Sequence, residues 1–394
     1  MIDRIKQLAK EYAQDVIDIR RHIHANPELS YQEYNTAKFV AAELRKIGIE
    51  PTEGVAATGL SALIKGKNPD KKVVALRADM DALPIKEAND VEYKSKNEGV
   101  MHACGHDAHT ASLLGCSRIL NELKDDFEGT IKLIFQPGEE KNPGGASLMI
   151  KDGVLKNPTP NTIYGQHVMP LIPVGKVGFR EGMYMASCDE IYLTVIGKGG
   201  HGAIPELTID PVLITSHIIV ALQQVISRNA SPKTPTVLSF GKVEANGATN
   251  IIPDKVEVAG TFRAMNEEWR AEAHRIIKKM AESIAEGMGG RCEVNISKGY
   301  PYLENDPATT AKARKLAEEY MGKENVLDLD LWMGAEDFSY YTHEVPACFY
   351  RLGTRNEEKG ITSYVHTPTF NIDENALEIG AGMMAWIAIN SLKD

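Results

Sequence analysis

Apolar residues at Ile2, Ile5, Leu8, Val16, Ile19 and Ile23 recur at helical spacing and predict a helix at the start of the chain. It should end near Pro27, because proline disfavours helical geometry in the residue before it. Ser30, with Glu33 three positions on, has the form of a capping box and predicts a second helix through Phe39, Val40 and Leu44. The pattern then changes. "KKVVALRADMDALP" predicts a buried strand, Val73 to Leu76, running into a loop with Asp79 and Asp81. "GTIKLIFQPGEE" predicts another, Ile131 to Phe135, ending at Glu139 and Glu140, and "NTIYGQHVMP" a third short segment ending at His167. Between the first two, "HTASLLGCSRILNEL" carries an apolar stripe of helical period. Strands alternating with helices predict a layered α/β sheet, whose working residues collect at the carboxyl ends of strands. Three strands that each deliver a carboxylate or an imidazole there predict one converging site.

From about Asp189 the texture differs. "EIYLTVIGKGGHGAIP" reads as an alternating strand and a Gly-rich turn, and "DPVLITSHIIVALQQVISR" as a helix with proline at its start. Strands at "TVLSFGKVEAN" and "KVEVAGTFRAM", a helix from Glu267 to about Met288, and "RCEVNISKG" follow. The order strand, helix, strand, strand, helix, strand is that of a ferredoxin-like sandwich. The expected architecture is therefore a mixed-sheet α/β/α domain, residues 1–184 and 298–394, interrupted by a ferredoxin-like α+β domain at 185–297. A chain of 394 residues is long enough for two cores. An exposed sheet edge on the small inserted domain is a liability unless a second chain covers it, which predicts a homodimer through that domain. Hinge closure between the domains is expected to gate turnover.

Composition narrows the partners. The chain is 43% hydrophobic and 25% charged, as in a soluble globular protein. Its 54 acids against 44 bases argue against nucleic acid or an anionic membrane. The first residues alternate charged and apolar positions, unlike a signal or transit peptide, and no apolar run is long enough to span a bilayer. The five cysteines (104, 116, 188, 292, 348) are scattered and form no Cys-x-x-Cys pair, which fits a reducing compartment, the cytoplasm.

Candidate chemistry concentrates in "GVMHACGHDAHTA", where His102, Cys104, His106, Asp107 and His109 fall within eight positions. A zinc finger would need a second cysteine pair nearby and none follows, so any further ligands must come from elsewhere. Taken singly, these residues have plain readings. Cys104 is a buried thiol, Asp79 and Asp81 are turn residues, and Glu139 with Glu140 is a solvated loop. His201 is a turn residue and Arg263 an exposed strand cation.

Taken in order, "RRHIHANPELSYQE", "LRADMDALPI", "MHACGHDAHTA", "FQPGEE", "GQHV", "GKGGHGAIP", "TNIIPD", "GAEDFSYY" and "VHTPTF" resemble the aminoacylase and carboxypeptidase family of dinuclear metallopeptidases. The likeness spans essentially the whole chain. It is greatest to the branch of hippurate hydrolases, N-acyl-amino-acid amidohydrolases and auxin-conjugate hydrolases. The resemblance implies two divalent ions (zinc, manganese, cobalt or nickel) bridged by Cys104, with Glu140 and His366 on one and His106 and His167 on the other. Most relatives outside the branch use an aspartate as bridge, and often a histidine ligand at the position of Asp79; both are departures here. Asp81 is implied to orient a metal ligand; His102, Asp107 and His109 read as partners that support the ligands from behind or as helix N-terminal groups, not as ligands. Glu139 is implied to be the general base toward a water held by metal. His201 is implied to donate to the carbonyl oxygen, in its own subunit or the partner, and Asn250 and Arg263 to hold the substrate carboxylate. The remaining histidines (22, 24, 217, 274, 343) read as structural, and Glu336 and Asp337 receive no role. The reaction implied is hydrolysis of an N-acyl-L-amino acid. A carboxypeptidase or dipeptidase acting on short peptides is the alternative, and a metal-binding protein without turnover the second.

Overall fold

The computed structural model describes residues 1–393. Two compact units divide it: Met1–Tyr184 with Glu304–Asp330 and the chain from Asp337 onward, and Met185–Leu303 with Leu331–Glu336.

The frame of the first unit is an eight-stranded mixed sheet. Its order is Thr52–Val55, Gly59–Lys65, Thr130–Gln136, Val73–Asp79, Thr162–Pro173, Ala347–Arg355, Val177–Phe179 and Val326–Asp328. The four consecutive strands from Thr130–Gln136 to Ala347–Arg355 run parallel. Val73–Asp79 and Thr130–Gln136 are buried at every position. Parallel strands covered on both faces read as continuous apolar runs, which is how they stand out in the sequence. The helix His106–Glu122 packs against the C-terminal helix Asn375–Ser391, and both join the sheet in one apolar core through Leu113, Ile119, Leu377 and Ile387.

Two expectations change here. The first helix is two helices, Ile2–Glu11 and Ala13–Ala25, separated at Tyr12, where φ −91° and ψ 0° leave helical geometry. The break falls in the gap of the apolar stripe between Leu8 and Val16. Nor do Ser30 and Glu33 form a capping box. The helix runs Tyr34–Lys46, and the Glu28 carboxylate receives the amides of Asn35 (2.9 Å) and Thr36 (2.8 Å) at its start. Ser30 and Glu33 take partners distant in sequence instead.

In the second unit a four-stranded antiparallel sheet has the order Thr236–Glu244, Lys255–Ala264, Asp189–Ile196, Arg291–Lys298. The helices Pro211–Gln224 and Glu267–Gly287 share its core, with Ile214, Ile218, Ala273 and Ile277 packed with Ile191, Leu193 and Val195. Asp210 caps the first helix by accepting the amide of Val212 at 2.8 Å, and Asn266 caps the second through the amide of Trp269 at 2.8 Å. The connectivity and strand order are those of a ferredoxin-like sandwich. The chain stays with this unit to Leu303, past the boundary expected at 297, because Cys188 donates its amide to the Tyr300 carbonyl at 3.1 Å. The segment 331–336 joins it through a bridge between Met185 and Trp332. Among the described residues no helix is long and apolar enough to cross a membrane.

Candidate metal centre

The parallel strands bring the polar residues to one level. Asp79 ends its strand paired with Gln136, after which Pro137 and Gly138 turn the chain into Glu139 and Glu140. Arg77 pairs with Gly165, so His167, two residues on, stands level with Asp79 although its strand continues to Pro173. Cys104 and His106 flank Gly105, whose φ is +88°. A Cβ there would lie 2.4 Å from Val168 Cγ2, so only glycine lets the chain pass close to that strand and enter the helix at His106. His366 arrives from a distant loop in a left-handed conformation, φ +62°, its amide donating to the Ala103 carbonyl at 2.7 Å. A non-glycine residue held there costs of order 1 kcal/mol or more, which the surrounding contacts must offset.

Two triads result. Cys104, His106 and His167 each offer a ligand atom within 4.8 Å of the others, and so do Cys104, Glu140 and His366. Cys104 belongs to both. Its Sγ lies 3.6 Å from His167 Nε2, and Glu140 Oε1 lies 3.2 Å from His366 Nε2. The first triad is buried, whereas His366 is exposed, so the pair has one dry side and one open side.

Hydrogen bonds fix the tautomers. His167 Nδ1 faces the Val168 carbonyl at 2.7 Å, an acceptor only, so it carries the proton and leaves the Nε2 lone pair toward Cys104. His106 Nδ1 faces the Asp81 carbonyl at 2.9 Å and its carboxylate at 3.2 Å, so it carries a proton on that side. Burial acts to lower the imidazole, but the Asp79 charge holds it well above its ordinary range, so Nε2 gives up its proton only to a cation that takes its place. His109 is different. Its Nδ1 donates to Asp79 at 2.5 Å and its Nε2 accepts the Val168 amide at 2.9 Å, so both nitrogens are spent and it supports the centre without being able to ligate. Burial pushes His102 down to about 4, which keeps it neutral.

The donor set fits divalent cations. His106 Nε2 is buried and makes no hydrogen bond to protein, and the buried Glu140 Oε1 has only the ion-pair contact with His366 Nε2 at 3.2 Å. Leaving a group such as His106 Nε2 unsatisfied costs roughly 1–3 kcal/mol. Burial also pushes the Cys104 thiol up, so a thiolate at that position requires neighbouring positive charge.

Carboxylates hold this arrangement from behind. Asp81 Oδ1 accepts the Glu139 amide at 3.0 Å, and its Oδ2 accepts the Glu140 amide at 2.9 Å and the Ser30 hydroxyl at 2.6 Å. Burial acts to raise the Asp81 carboxyl, but the hydrogen bond and charge of His106 outweigh it and hold the group below its ordinary range. Asp79 is held well below that range in the same contest, chiefly by the Arg77 guanidinium at 2.5 Å. Glu139 is 6% exposed, its Oε1 accepts the Asp337 amide at 3.4 Å, and its Oε2 lies 3.9 Å from His106 Nε2.

Of the residues singled out in the sequence, Cys104, His106, Glu139, Glu140, His167, His366 and Asp81 come together in the first unit. His201, Asn250 and Arg263 belong to the second. There the amide of Gly202 donates to the Asn250 carbonyl at 2.8 Å and Ile251 pairs with His201, so His201 and Asn250 are neighbours and both exposed. Arg263 lies on the four-stranded sheet with its Nε 3.1 Å from Thr261 Oγ1.

Sequence reasoning missed part of the support. His24, read as structural, sits between Asp107 Oδ2 at 2.7 Å and Glu87 Oε1 at 3.1 Å, and Arg20 donates to the same Asp107 oxygen at 2.8 Å. The signal was present: Arg20 and His24 lie one turn apart on the face that also carries Val16, Ile19 and Ile23. Arg77, Gln136 and Asp337 form a second buried cluster, with Arg77 Nη2 and Gln136 Nε2 each 2.8 Å from Asp337 Oδ1.

The sequence profile described as Peptidase family M20/M25/M40 matches residues 75–390. The chain belongs to that family. It is a metal-dependent amidohydrolase. Among M20 relatives it is 42% identical to thermostable carboxypeptidase 2 of Saccharolobus solfataricus over 392 residues, covering 99% of this chain and 98% of that one. It is 38% identical over 384 residues to the N-acetylcysteine deacetylase of Bacillus subtilis, covering 96% and 97%. The crystal structure of the Bacillus subtilis YXEP protein, described as a dinuclear metal-binding peptidase of the M20 family, superposes with a TM-score of 0.84 at 35% identity, covering 98% and 99%.

Proposed function

We propose that this M20 hydrolase cleaves the amide bond of N-acyl-L-amino acids, of the N-acetyl or N-benzoyl type, at a centre of two divalent cations. The observation that carries the reading is the position of Cys104 in both ligand triads, with Glu139 beside them. Cys104 would bridge, His106 and His167 would hold one ion, and Glu140 and His366 the other. Zinc, manganese, cobalt and nickel all suit this mixture of sulfur, nitrogen and oxygen donors. Bound there, such ions supply a water acidic enough to lose a proton near neutral pH and a Lewis acid for the amide carbonyl. Glu139 would accept a proton from the water whose oxygen bonds to the carbonyl carbon and return it to the nitrogen as the C–N bond breaks; Asp81 keeps the Glu139 and Glu140 backbones and His106 in place for the transfer. His201 as donor to the carbonyl oxygen, and Asn250 and Arg263 as the grip on the substrate carboxylate, rest on the family resemblance.

The deacetylase relative supports an acyl amide, and the carboxypeptidase relative keeps short peptides as a second reading. A homodimer through the second unit is part of the proposal. Its strand Thr236–Glu244 is a sheet edge, exposed from Gly241 to Glu244. The test is a panel of acetylated and benzoylated amino acids and dipeptides with added manganese, cobalt or zinc. Hydrolysis of the acyl amides, abolished by chelator and by Glu139→Gln with metal content intact, is the expected result. Turnover confined to dipeptides would select the second reading, and undiminished turnover by Glu139→Gln would remove the base.

A further inference from the structure

The motif "RRHIHANPELSYQE" has so far supplied only supports, and its last residues do something more specific. Tyr31 stands at φ +66°, a left-handed conformation unusual for an aromatic residue. Its ring lies over Gly138, where a Cβ would come within 2.3 Å of Tyr31 Cε1. Its hydroxyl donates to the Lys141 carbonyl at 2.7 Å and accepts the Gly144 amide at 3.1 Å. Two residues on, Glu33 is fully buried, and one of its oxygens accepts the amides of both Gly138 (2.8 Å) and Tyr31 (2.9 Å). The Thr58 hydroxyl anchors the other oxygen at 2.7 Å. Gly138 and Gly144 bracket Glu139 and Glu140, and both have positive φ, +60° and +87°. Such a loop has many alternative conformations unless something outside it holds both ends.

We infer that Tyr31 and Glu33 are positioning residues that staple the two ends of the Gly138–Gly144 loop and thereby hold Glu139 in the geometry for proton transfer. The strain at Tyr31 supports this: the conformation is sustained where the neighbouring contacts over-determine it, and these contacts all lead to that loop. The inference rests on the reading of Glu139 as general base. Proton transfer is sensitive to placement on the scale of an ångström, whereas ground-state binding of substrate is less so. Loosening the staple should therefore lower kcat and leave KM nearly unchanged.

The experiment uses the metal-loaded enzyme with Tyr31→Phe, Glu33→Gln and Glu139→Gln. Tyr31→Phe keeps the ring over Gly138 and deletes both hydroxyl bonds. The expected result is a kcat lower by about tenfold, the effect of one to two hydrogen bonds, with KM within about twofold and metal content unchanged. Hydrogen exchange of the amides in 138–144 should quicken, while the helix His106–Glu122 keeps its protection. Glu33→Gln should move the same two readouts in the same direction. Unaltered exchange in 138–144, or a kcat equal to that of the parent enzyme beside an inactive Glu139→Gln, overturns the staple. Full activity of Glu139→Gln instead overturns the base, and exchange alone then decides whether the staple exists.

Discussion

The carboxylate of Asp81 accepts the backbone N–H of Glu139 at 3.0 Å. The same group takes the Glu140 amide, the Ser30 hydroxyl and His106 Nδ1, four donors on two oxygens. Asparagine offers one acceptor oxygen and a nitrogen that repels incoming N–H groups. In Asp81→Asn at least one buried donor loses its partner, at roughly 1–3 kcal/mol, and His106 loses the charge that orients it. Metal affinity should fall by about 10- to 100-fold, the usual effect of losing a group that orients a ligand. Calorimetric titration of the metal-stripped protein with manganese or zinc checks this, and an affinity equal to the parent's would contradict the arrangement.

Cys104 is common to both triads, so its loss should empty the whole centre rather than half of it. A serine hydroxyl stays protonated far above the pH at which a thiol ionises beside cations, and cannot bridge as a thiolate does. Elemental analysis of purified Cys104→Ser should show almost no bound metal, against about two ions per chain for the parent, and retention of about one ion would contradict the shared role of Cys104. Cys116 and Cys348 are fully buried in the apolar core. Serine at either should reduce stability and spare the metal content.

What the sequence made legible follows the range of each interaction. The parallel strands and the helix after Cys104 announce themselves because burial on both faces leaves an apolar signature within a dozen residues. His366 and Glu140 are recognisable only through motif resemblance, since nothing local ties a histidine in a loop to a carboxylate more than two hundred positions away. Ser30 and Glu33 show the opposite failure. Their spacing satisfies a local rule, but Asp81 and Gly138 offer them better-buried partners, and a contact distant in sequence overrides the capping box. His24 is a partial case: with Arg20 one turn away it marks a polar pair on an apolar helix face, but nothing local names Asp107 and Glu87 as the carboxylates that close on it.

Removing the metal should cost global stability as well as activity. The ligands come from positions 104, 106, 140, 167 and 366, so ions held there tie together three loops, the start of the helix His106–Glu122 and a strand of the first unit. At a free metal concentration a hundredfold above Kd, each site adds about 2.7 kcal/mol to the folded state. Chelator should therefore lower the unfolding midpoint of the parent protein, with the first unit affected and the strand Asp189–Ile196 of the second keeping its exchange protection. In Cys104→Ser the chelator should change little.

The second unit carries its own acid sensor of stability. Asp189 is fully buried; Arg270 Nε donates to it at 2.8 Å, His274 Nε2 lies at 2.7 Å and the Gly299 amide at 3.1 Å, with Arg270 Nη2 on the second oxygen. Burial raises its carboxyl, but the hydrogen bonds of Arg270 and His274 outweigh that and bring it down from 3.8 to about 2. A carboxyl with a lowered folded pKa binds fewer protons folded than unfolded, so its contribution is complete above about pH 4. It is lost as the pH falls from there through 2, and amounts to about 2 kcal/mol. Exchange protection of the strand Asp189–Ile196 should weaken across that window. Asp189→Asn should remove this component of the pH dependence and, by leaving the buried Arg270 guanidinium with only Glu267 at 3.0 Å as counter-charge, weaken the unit at neutral pH by about 1–3 kcal/mol. A variant with parent-like protection at pH 7 would show that the pair holds nothing together.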